Sequence, residues 1–383
     1  MWFDEAVIYQ IYPLGLCGAP LVNNGECEEE AGNHRILRIL DWIDHIKSMG
    51  TSCVLFNPLF ESDAHGYDTR NYNKVDRRLG TNEDFKTLCD EAKKYGISII
   101  LDGVFSHTGA DSIYFNKFNR YDSLGAYNSP DSEFFSWYTF YEYPDKYEAW
   151  WGIDTLPNVK ENNKDYTNYI CGDGGVLDYW ISLGAAGYRL DVADELPDEF
   201  LDNLNKCVKK HGKEKIIIGE VWEDASNKES YGVKRRYLLG DQLDSVMNYP
   251  FRSAIMNYVL GGSPFDFKNS IMTILENYPK PSVDVLMNSI STHDIERAIN
   301  ILGGESCEGK GGGAMKYKLT KAEQETVINF DNELDTASIY THDSRLIKKL
   351  RKLRKQYPEQ FVLEHREQGS VTYTIPKRCV GIR

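Results

Sequence analysis

The strongest constraint on this chain is an alternation. Short apolar runs of strand length are separated by segments whose apolar residues recur at helical spacing. Ala6–Tyr12 is the first run, closed by Pro13 and a polar, Gly-containing loop. Ile36, Leu37, Ile39, Leu40, Ile43 and Ile46 then keep the i, i+3, i+4 period of a helix over Ile36–Met49, with Gly50 as its stop. Thr51–Leu59 is apolar almost throughout, as a strand covered on both faces must be. Asn82–Tyr95 reads as a second helix ending at Gly96, and Ile97–Phe105 as a third strand. Repeated strand–helix–strand units predict a parallel sheet wound right-handedly.

The regularity breaks at 106–168, a stretch rich in aromatic, Asp, Asn, Ser and Pro residues with no sustained period. That is too long for an ordinary loop and predicts an inserted subdomain. Alternation resumes with a helix over Gly172–Leu183, strand four at Gly187–Ala193, a helix over Asp198–His211 and strand five at Lys215–Val221. Strand six at Leu243–Tyr249, a helix over Phe265–Asn277 and strand seven at Val283–Ser291 follow. Seven strands alternating with helices predict a (β/α)8 TIM-type barrel, whose working face is the carboxyl end of its strands. A chain of 383 residues accommodates one such barrel of about 250 residues with insertions.

Strand eight is not evident. Beyond Gly303 come a Gly- and Lys-rich loop, a helical pattern over Tyr317–Phe330 and the polar, acidic Asp331–Thr341, in which only Ala337–Tyr340 is faintly strand-like. Asp343–Tyr357 reads as a basic helix and Val371–Ile375 as one last strand-like piece. The expected organisation is a barrel over 1–105, the insertion at 106–168, the barrel again over 169–358, and at 359–383 a stub of an otherwise absent carboxyl-terminal β-domain.

Charge narrows the function. Lys and Arg number 44 against 58 Asp and Glu, a net charge of -14, which argues against nucleic acid as a partner. The amino terminus has no basic stretch leading into an apolar run, and no segment is apolar over a bilayer's width, so neither a secretory leader nor a membrane partner is expected. The eight cysteines are scattered, Cys53 in a strand and Cys89 and Cys207 in helices, with no metal-type spacing. A cytoplasmic protein with reduced thiols and no cofactor is the expectation. The 25 Tyr and 7 Trp exceed what a simple core demands and suit stacking on sugar faces, although most must fill the core.

Chemistry concentrates at strand ends. Asp102 and His107 follow the third strand, Arg189 and Asp191 lie on the fourth, Glu220 on the fifth, and His293 and Asp294 after the seventh. Arg189 and Asp191 are two apart in a strand whose other residues are Tyr188, Leu190 and Val192, so they share a face. Taken alone, the pair is best read as a structural ion pair, and a lone His or Asp as a satisfied core group. A whole set at corresponding strand ends converges on one barrel mouth instead. Three carboxylates there suit a nucleophile, a proton donor and a stabiliser of positive charge, the requirements of glycoside cleavage.

The motifs Asp-Gly-Val-Phe-Ser-His (102–107), Leu-Pro-Asn-Val (156–159), Gly-Tyr-Arg-Leu-Asp-Val-Ala-Asp-Glu (187–195), Gly-Glu-Val-Trp (219–222) and Ser-Thr-His-Asp (291–294) are weak singly and strong in this order. From Trp2 to about Gly304 the chain resembles the α-amylase superfamily of glycoside hydrolases, with its cyclomaltodextrinase- and neopullulanase-like members. The resemblance implies a retaining mechanism with Asp191 as nucleophile, Glu220 as general acid and then base, and Asp294 as third carboxylate. It implies that Arg189 keeps Asp191 ionised, that Asp102 orients Arg189, that His107 and His293 bind sugar hydroxyls and that Tyr67 stacks on the sugar. Trp222 would line the acceptor side, with packing an equal account, and the run around Trp150 and Trp151 would form a cleft wall. Ser106 stands where many relatives have Asn at a structural calcium site, so calcium is disfavoured and no metal ligand is assigned. The implied activity is hydrolysis of maltodextrins, cyclodextrins or related α-glucans, with transglycosylation a compatible outcome. The alternative, resting on the missing strand, is a catalytically weak α-glucan-binding or amylase-like partner protein; oligomeric state is open.

Overall fold

The structure is a computed structural model and describes residues 1–24, 33–302, 326–329, 336–341, 344–366 and 371–376. Internal contacts divide the chain into Met1–Glu305 and Ser306–Arg383. Among the described residues no helix is long and apolar enough to cross a membrane.

The first unit is built on six strands in chain order: β1 (Ile8–Ile11), β2 (Cys53–Phe56), β3 (Ser98–Gly103), β4 (Gly187–Leu190), β5 (Ile216–Gly219) and β6 (Ser245–Val246). All their pairings are parallel. Every residue of β2, β4 and β5 is buried, as near-continuous apolar runs require of strands packed on both faces. Gly187 has φ of +152°, and a Cβ there would lie 2.0 Å from the Ile216 carbonyl oxygen, so only glycine lets β4 and β5 start this close.

The flanking helices follow their periods. Asn82–Lys94 starts at a capping box, with Thr81 Oγ1 accepting from the Asp84 amide at 3.2 Å and Asp84 Oδ2 accepting from the Thr81 amide at 2.8 Å. It buries Phe85, Leu88, Cys89 and Ala92. The segment expected as one helix over Ile36–Met49 is a 3-10 helix, Arg35–Trp42, running into an α-helix, Ile43–Ser48. Its inward residues Ile36 and Ile39 are three apart, a spacing that a 3-10 helix eclipses, so the same apolar face is buried by a tighter winding.

Two expectations fail past β5. Strand six was expected to reach Tyr249, but Tyr249–Val259 is a helix. Asn248 caps it, accepting from the Phe251 amide at 3.2 Å, and Pro250 sits in its first turn. Asn followed by Pro was the start signal, and the apolar run masked it. Strand seven at Val283–Ser291 is not a strand: Lys280–Val283 is a helical turn, and parallel pairing is limited to the bridge between Met247 and Met287. Among the described residues that segment has a ladder partner on one side only, and Asp284, Asn288 and Ser289 break its apolar run.

Between β3 and the helix Lys164–Cys171, residues 106–163 form turns, short 3-10 helices and one small hairpin, Phe140–Glu142 with Lys146–Tyr147. Their aromatic side chains pack on one another. Phe115 meets Tyr138 at 4.8 Å and Tyr147 at 4.7 Å, and Tyr114 meets Trp137 at 5.2 Å between ring centroids.

The second unit corrects the reading of the carboxyl-terminal region. Thr326–Asn329, Thr336–Thr341, Val371–Pro376 and Val362–Arg366 form, in that spatial order, a four-stranded antiparallel sheet. Of the helix expected over Tyr317–Phe330, residues 326–329 are therefore strand, and the remainder lies outside the described residues. The faint candidate Ala337–Tyr340 is a strand, but of this antiparallel sheet; alternate burial of Ala337, Ile339 and Thr341 fits a sheet with one packed face. The basic helix Ser344–Gln356 buries Ile347 and Leu350 in one core with Ile339, Tyr373 and Ile375. It thus belongs to this unit rather than to a barrel reaching residue 358, and the boundary falls after Glu305.

Candidate active site

The sheet register assembles the centre of the site. Asp102 on β3 is paired with Arg189 on β4, and Leu190 with Gly219 on β5. The residues just beyond continue the ladder: the Asp191 amide donates to the Gly103 carbonyl and the Glu220 amide to the Leu190 carbonyl, both at 3.0 Å. Arg189 is thereby placed among carboxylates. Its Nη1 lies 2.6 Å from Asp102 Oδ1 and 2.9 Å from Asp191 Oδ1, and its Nη2 lies 2.7 Å from Glu220 Oε2 and 3.8 Å from Asp294 Oδ2. The Nη2–Glu220 contact is close but poorly aligned as a hydrogen bond.

One guanidinium facing four carboxylates cannot neutralise them, and burial disfavours the charged forms. Burial pushes the Asp102 carboxyl up to about 7, with Arg189 opposing. It also pushes Asp294 up to about 7, reinforced by the charge of Glu220. Asp191 and Glu220 are likewise raised, burial first, with Arg189 pulling each down. Arg189 thus lowers Asp191 as expected from sequence, but by less than burial raises it. Asp102 and Asp294 thus hold their protons up to near neutral pH.

Glu220 is aimed by two further donors. Trp222 Nε1 donates to Oε1 at 3.0 Å and the Val192 amide to Oε2 at 2.8 Å. Val192 pays for that amide with φ of 35°, a left-handed conformation that a β-branched residue rarely adopts. Trp222 in turn lies flat on Tyr249, with centroids 4.3 Å apart and planes 5° from parallel.

Tyr67 donates from its hydroxyl to Asp102 Oδ2 at 3.1 Å and stacks on His293, with centroids 5.7 Å apart. His293 Nε2 also lies 3.1 Å from Asp294 Oδ1, and burial lowers this histidine to about 4, so it is neutral. His107 is more committed than expected. Its Nε2 faces the Tyr67 carbonyl at 3.0 Å, which can only accept, so Nδ1 accepts from Ser106 Oγ at 3.0 Å. Both ring nitrogens are engaged within the protein, and His107 orients the Tyr67 backbone. The Ser106 hydroxyl is likewise taken, and among the described residues no group of three or more His, Cys, Asp or Glu side chains is arranged to hold a metal ion.

These groups open into a cavity of about 840 Å³ lined by Tyr67, His107, Asp191, Glu220, Trp222 and Asp294. Trp150 and Trp151, stacked at 5.0 Å, form one wall. Sequence reasoning missed Glu195 and Tyr231 opposite them. Trp151 Nε1 donates to Glu195 Oε1 at 3.2 Å and the Tyr231 hydroxyl to the same oxygen at 2.7 Å. Glu195 closes the motif begun at Gly187 and was within reach of that reading, whereas Tyr231 sits in a polar loop with no signal. A second cavity, about 820 Å³, runs along β1 and Leu286–Thr292 and lacks Asp191 and Glu220.

The description "Alpha amylase, catalytic domain" matches residues 36–343. This chain belongs to the α-amylase family. Within that family it is 37% identical over 301 residues to an amylopullulanase of Thermoanaerobacterium thermosulfurigenes, covering 70% of the chain and 16% of that protein. It is 29% identical to neopullulanase 2 of Thermoactinomyces vulgaris, covering all of the chain and 63% of that protein. The chain therefore spans less than two thirds of the length of these curated relatives. Among solved α-amylase-family structures, the cyclic alpha-maltosyl-(1→6)-maltose hydrolase of Arthrobacter globiformis superposes with a TM-score of 0.67 at 26% identity, covering 79% of this chain and 69% of that one.

Proposed function

We propose that the chain is a retaining glycoside hydrolase acting on the α-glucosidic bonds of maltodextrins, cyclodextrins or related α-glucans, with Asp191 as nucleophile and Glu220 as acid and base. The observation that carries this reading is one guanidinium bridging the two carboxyls on adjacent strand ends, with Arg189 Nη1 2.9 Å from Asp191 Oδ1 and Nη2 2.7 Å from Glu220 Oε2. An inverting site holds its carboxyls about 6.5–9.5 Å apart, to admit a water between acid and base. Two carboxyls held at the two ends of one guanidinium suit the closer spacing of a retaining site, about 5–5.5 Å, which supports direct attack by the nucleophile. In the first step Asp191 bonds to the anomeric carbon while Glu220 passes its proton to the departing glycosidic oxygen. In the second, Glu220 takes a proton from water, whose oxygen displaces Asp191 and restores the starting carboxylate. Burial helps Glu220 stay protonated as the acid. Asp294 and Tyr67 line the side where the cleaved sugar would sit, with His293 against both, and a sugar hydroxyl in place of water in the second step gives transglycosylation. The relatives' names support the substrate class: amylopullulanase, neopullulanase and cyclomaltodextrinase.

The test is release of reducing sugar from maltodextrin and β-cyclodextrin, with the product anomer followed by proton NMR. The α-anomer is expected first, and Asp191→Ala and Glu220→Gln should each lose at least about 1000-fold in kcat. Unchanged turnover in both variants, or initial release of the β-anomer, refutes the proposal.

One observation favours a second reading, a weak or inactive α-glucan binder. Among the described residues the segment bearing His293 and Asp294 pairs with the sheet only at the Met247–Met287 bridge, so the third carboxylate is the least firmly held. Calorimetric binding of maltoheptaose with no turnover would select that reading.

A further inference from the structure

We propose that Gln10 is a positioning residue that fixes His293 in the tautomer carrying its proton on Nε2, through a chain of hydrogen bonds whose polarity is set at Asp102. The chain begins at an ion. Asp102 Oδ1 accepts from Arg189 Nη1 at 2.6 Å, and its other oxygen lies 3.1 Å from the Tyr67 hydroxyl. Above about pH 7 Asp102 is ionised and only accepts, so Tyr67 donates to it and has only lone pairs left to offer. Asn57, whose side-chain amide is 3.0 Å from that hydroxyl, must therefore present Nδ2 to it. This turns Asn57 Oδ1 toward Gln10, which must answer with Nε2, at 3.1 Å. The second proton of that same Nε2 faces His293 Nδ1 at 2.9 Å.

Nδ1 must then accept, and a neutral imidazole carries its one proton on Nε2. There it meets the remaining lone pair of the Tyr67 hydroxyl and Asp294 Oδ1 at 3.1 Å, so the circuit closes without two donors facing each other. The alternatives conflict. A proton on Nδ1 would oppose the Gln10 N–H, turning Gln10 over would set its oxygen against Asn57 Oδ1, and turning Asn57 over would set Oδ1 against a hydroxyl whose proton is already given to Asp102. Each repair moves the clash one residue along and returns it to the ion pair. The charged groups facing His293 are Arg189 from β4 and its own neighbour Asp294, with Asp102 behind Tyr67. Burial and Arg189 hold the ring neutral, which leaves the tautomer as the open variable, and Gln10 decides it.

This rests on the reading above: with both His293 nitrogens engaged within the protein, the fixed tautomer acts on the site by presenting an N–H to Asp294 Oδ1 and the Tyr67 hydroxyl. Gln10 touches neither substrate nor reacting atoms in this account and acts through His293.

The test is a long-range proton–nitrogen correlation spectrum of histidine-labelled protein near pH 8, His293 being assigned by its loss in His293→Gln. In the native chain Nδ1 should show the shift of an unprotonated ring nitrogen and Nε2 that of an N–H. Gln10→Glu puts an acceptor opposite Nδ1 and should move the proton to Nδ1, while Gln10→Met should give averaged shifts of both tautomers. With maltodextrin, Gln10→Glu should lower kcat/KM at least about 10-fold, and Asn57→Leu, which cuts the relay one step earlier, should also average the tautomers. Retention of the native His293 pattern in Gln10→Glu and Gln10→Met, with circular dichroism unchanged, overturns the inference. The spectrum needs no turnover, so an inactive native enzyme with the predicted tautomer shift would sink the hydrolase reading and leave this one standing.

Discussion

Asp294 should make the folded chain less stable as pH rises, and Asp294→Asn should remove that liability while disabling the site. The carboxyl is pushed from its ordinary 3.8 to about 7 by burial and the charge of Glu220. Where the folded value exceeds the unfolded one, the native state binds the proton more tightly, so stability falls with pH between the two values and is unaffected below the lower. Between pH 5 and pH 8 the folded chain loses its advantage over about 2 pH units, or about 2.7 kcal/mol at 1.36 kcal/mol per unit. The side chain is 31% exposed, and solvent screening reduces this to about 1–1.5 kcal/mol. Asn resembles the protonated acid in shape and never ionises. The variant's advantage over the native chain should thus grow by about 1–1.5 kcal/mol between pH 5 and pH 8. Urea unfolding of both chains at the two pH values measures this, and maltodextrin turnover of the variant should be lost. A stability difference that is the same at pH 5 and pH 8 would show that Asp294 ionises in the folded state as it does in water.

Two further perturbations test other parts of the site. Trp222→Phe keeps the stack on Tyr249 but removes the donor that stabilises ionised Glu220, so the basic limb of the kcat profile should move to higher pH; a limb that stays or moves down contradicts this. Gly187→Ala forces a Cβ against the Ile216 carbonyl and should cost about 1–3 kcal/mol in urea unfolding; no loss would mean that β4 and β5 can separate freely.

The first five strands were legible because each is a short, mostly apolar run, and β2, β4 and β5 are buried throughout, a pattern independent of distant partners. Asp191, Glu220 and Asp102 were legible for a related reason: a charge ending such a run has few places to go. What escaped notice depends on relations between segments. Val192 reads as one more apolar residue, and nothing local announces the φ of 35° that turns its amide to Glu220. His107 was assigned to sugar, yet a carbonyl and a hydroxyl from its own surroundings occupy both nitrogens. Val283–Ser291 has the length of a strand and an apolar centre at Val285–Met287 but one ladder partner among the described residues, and composition does not reveal whether a partner is in place. Ala337–Tyr340 was read against the wrong sheet, because period alone says that a segment pairs and not with what.

Asp191 and Glu220 are carried by neighbouring strands locked residue by residue, whereas Asp294 arrives on a segment pinned to the sheet at Met287 and by side-chain bonds from Ser245, Asn248 and Arg252. The site is thus anchored unevenly. Substitutions around Met287 can slide His293 and Asp294 relative to β4 and β5 while leaving Asp191 and Glu220 in place. On the proposed function, such substitutions would alter which sugar fits without disturbing Asp191 and Glu220.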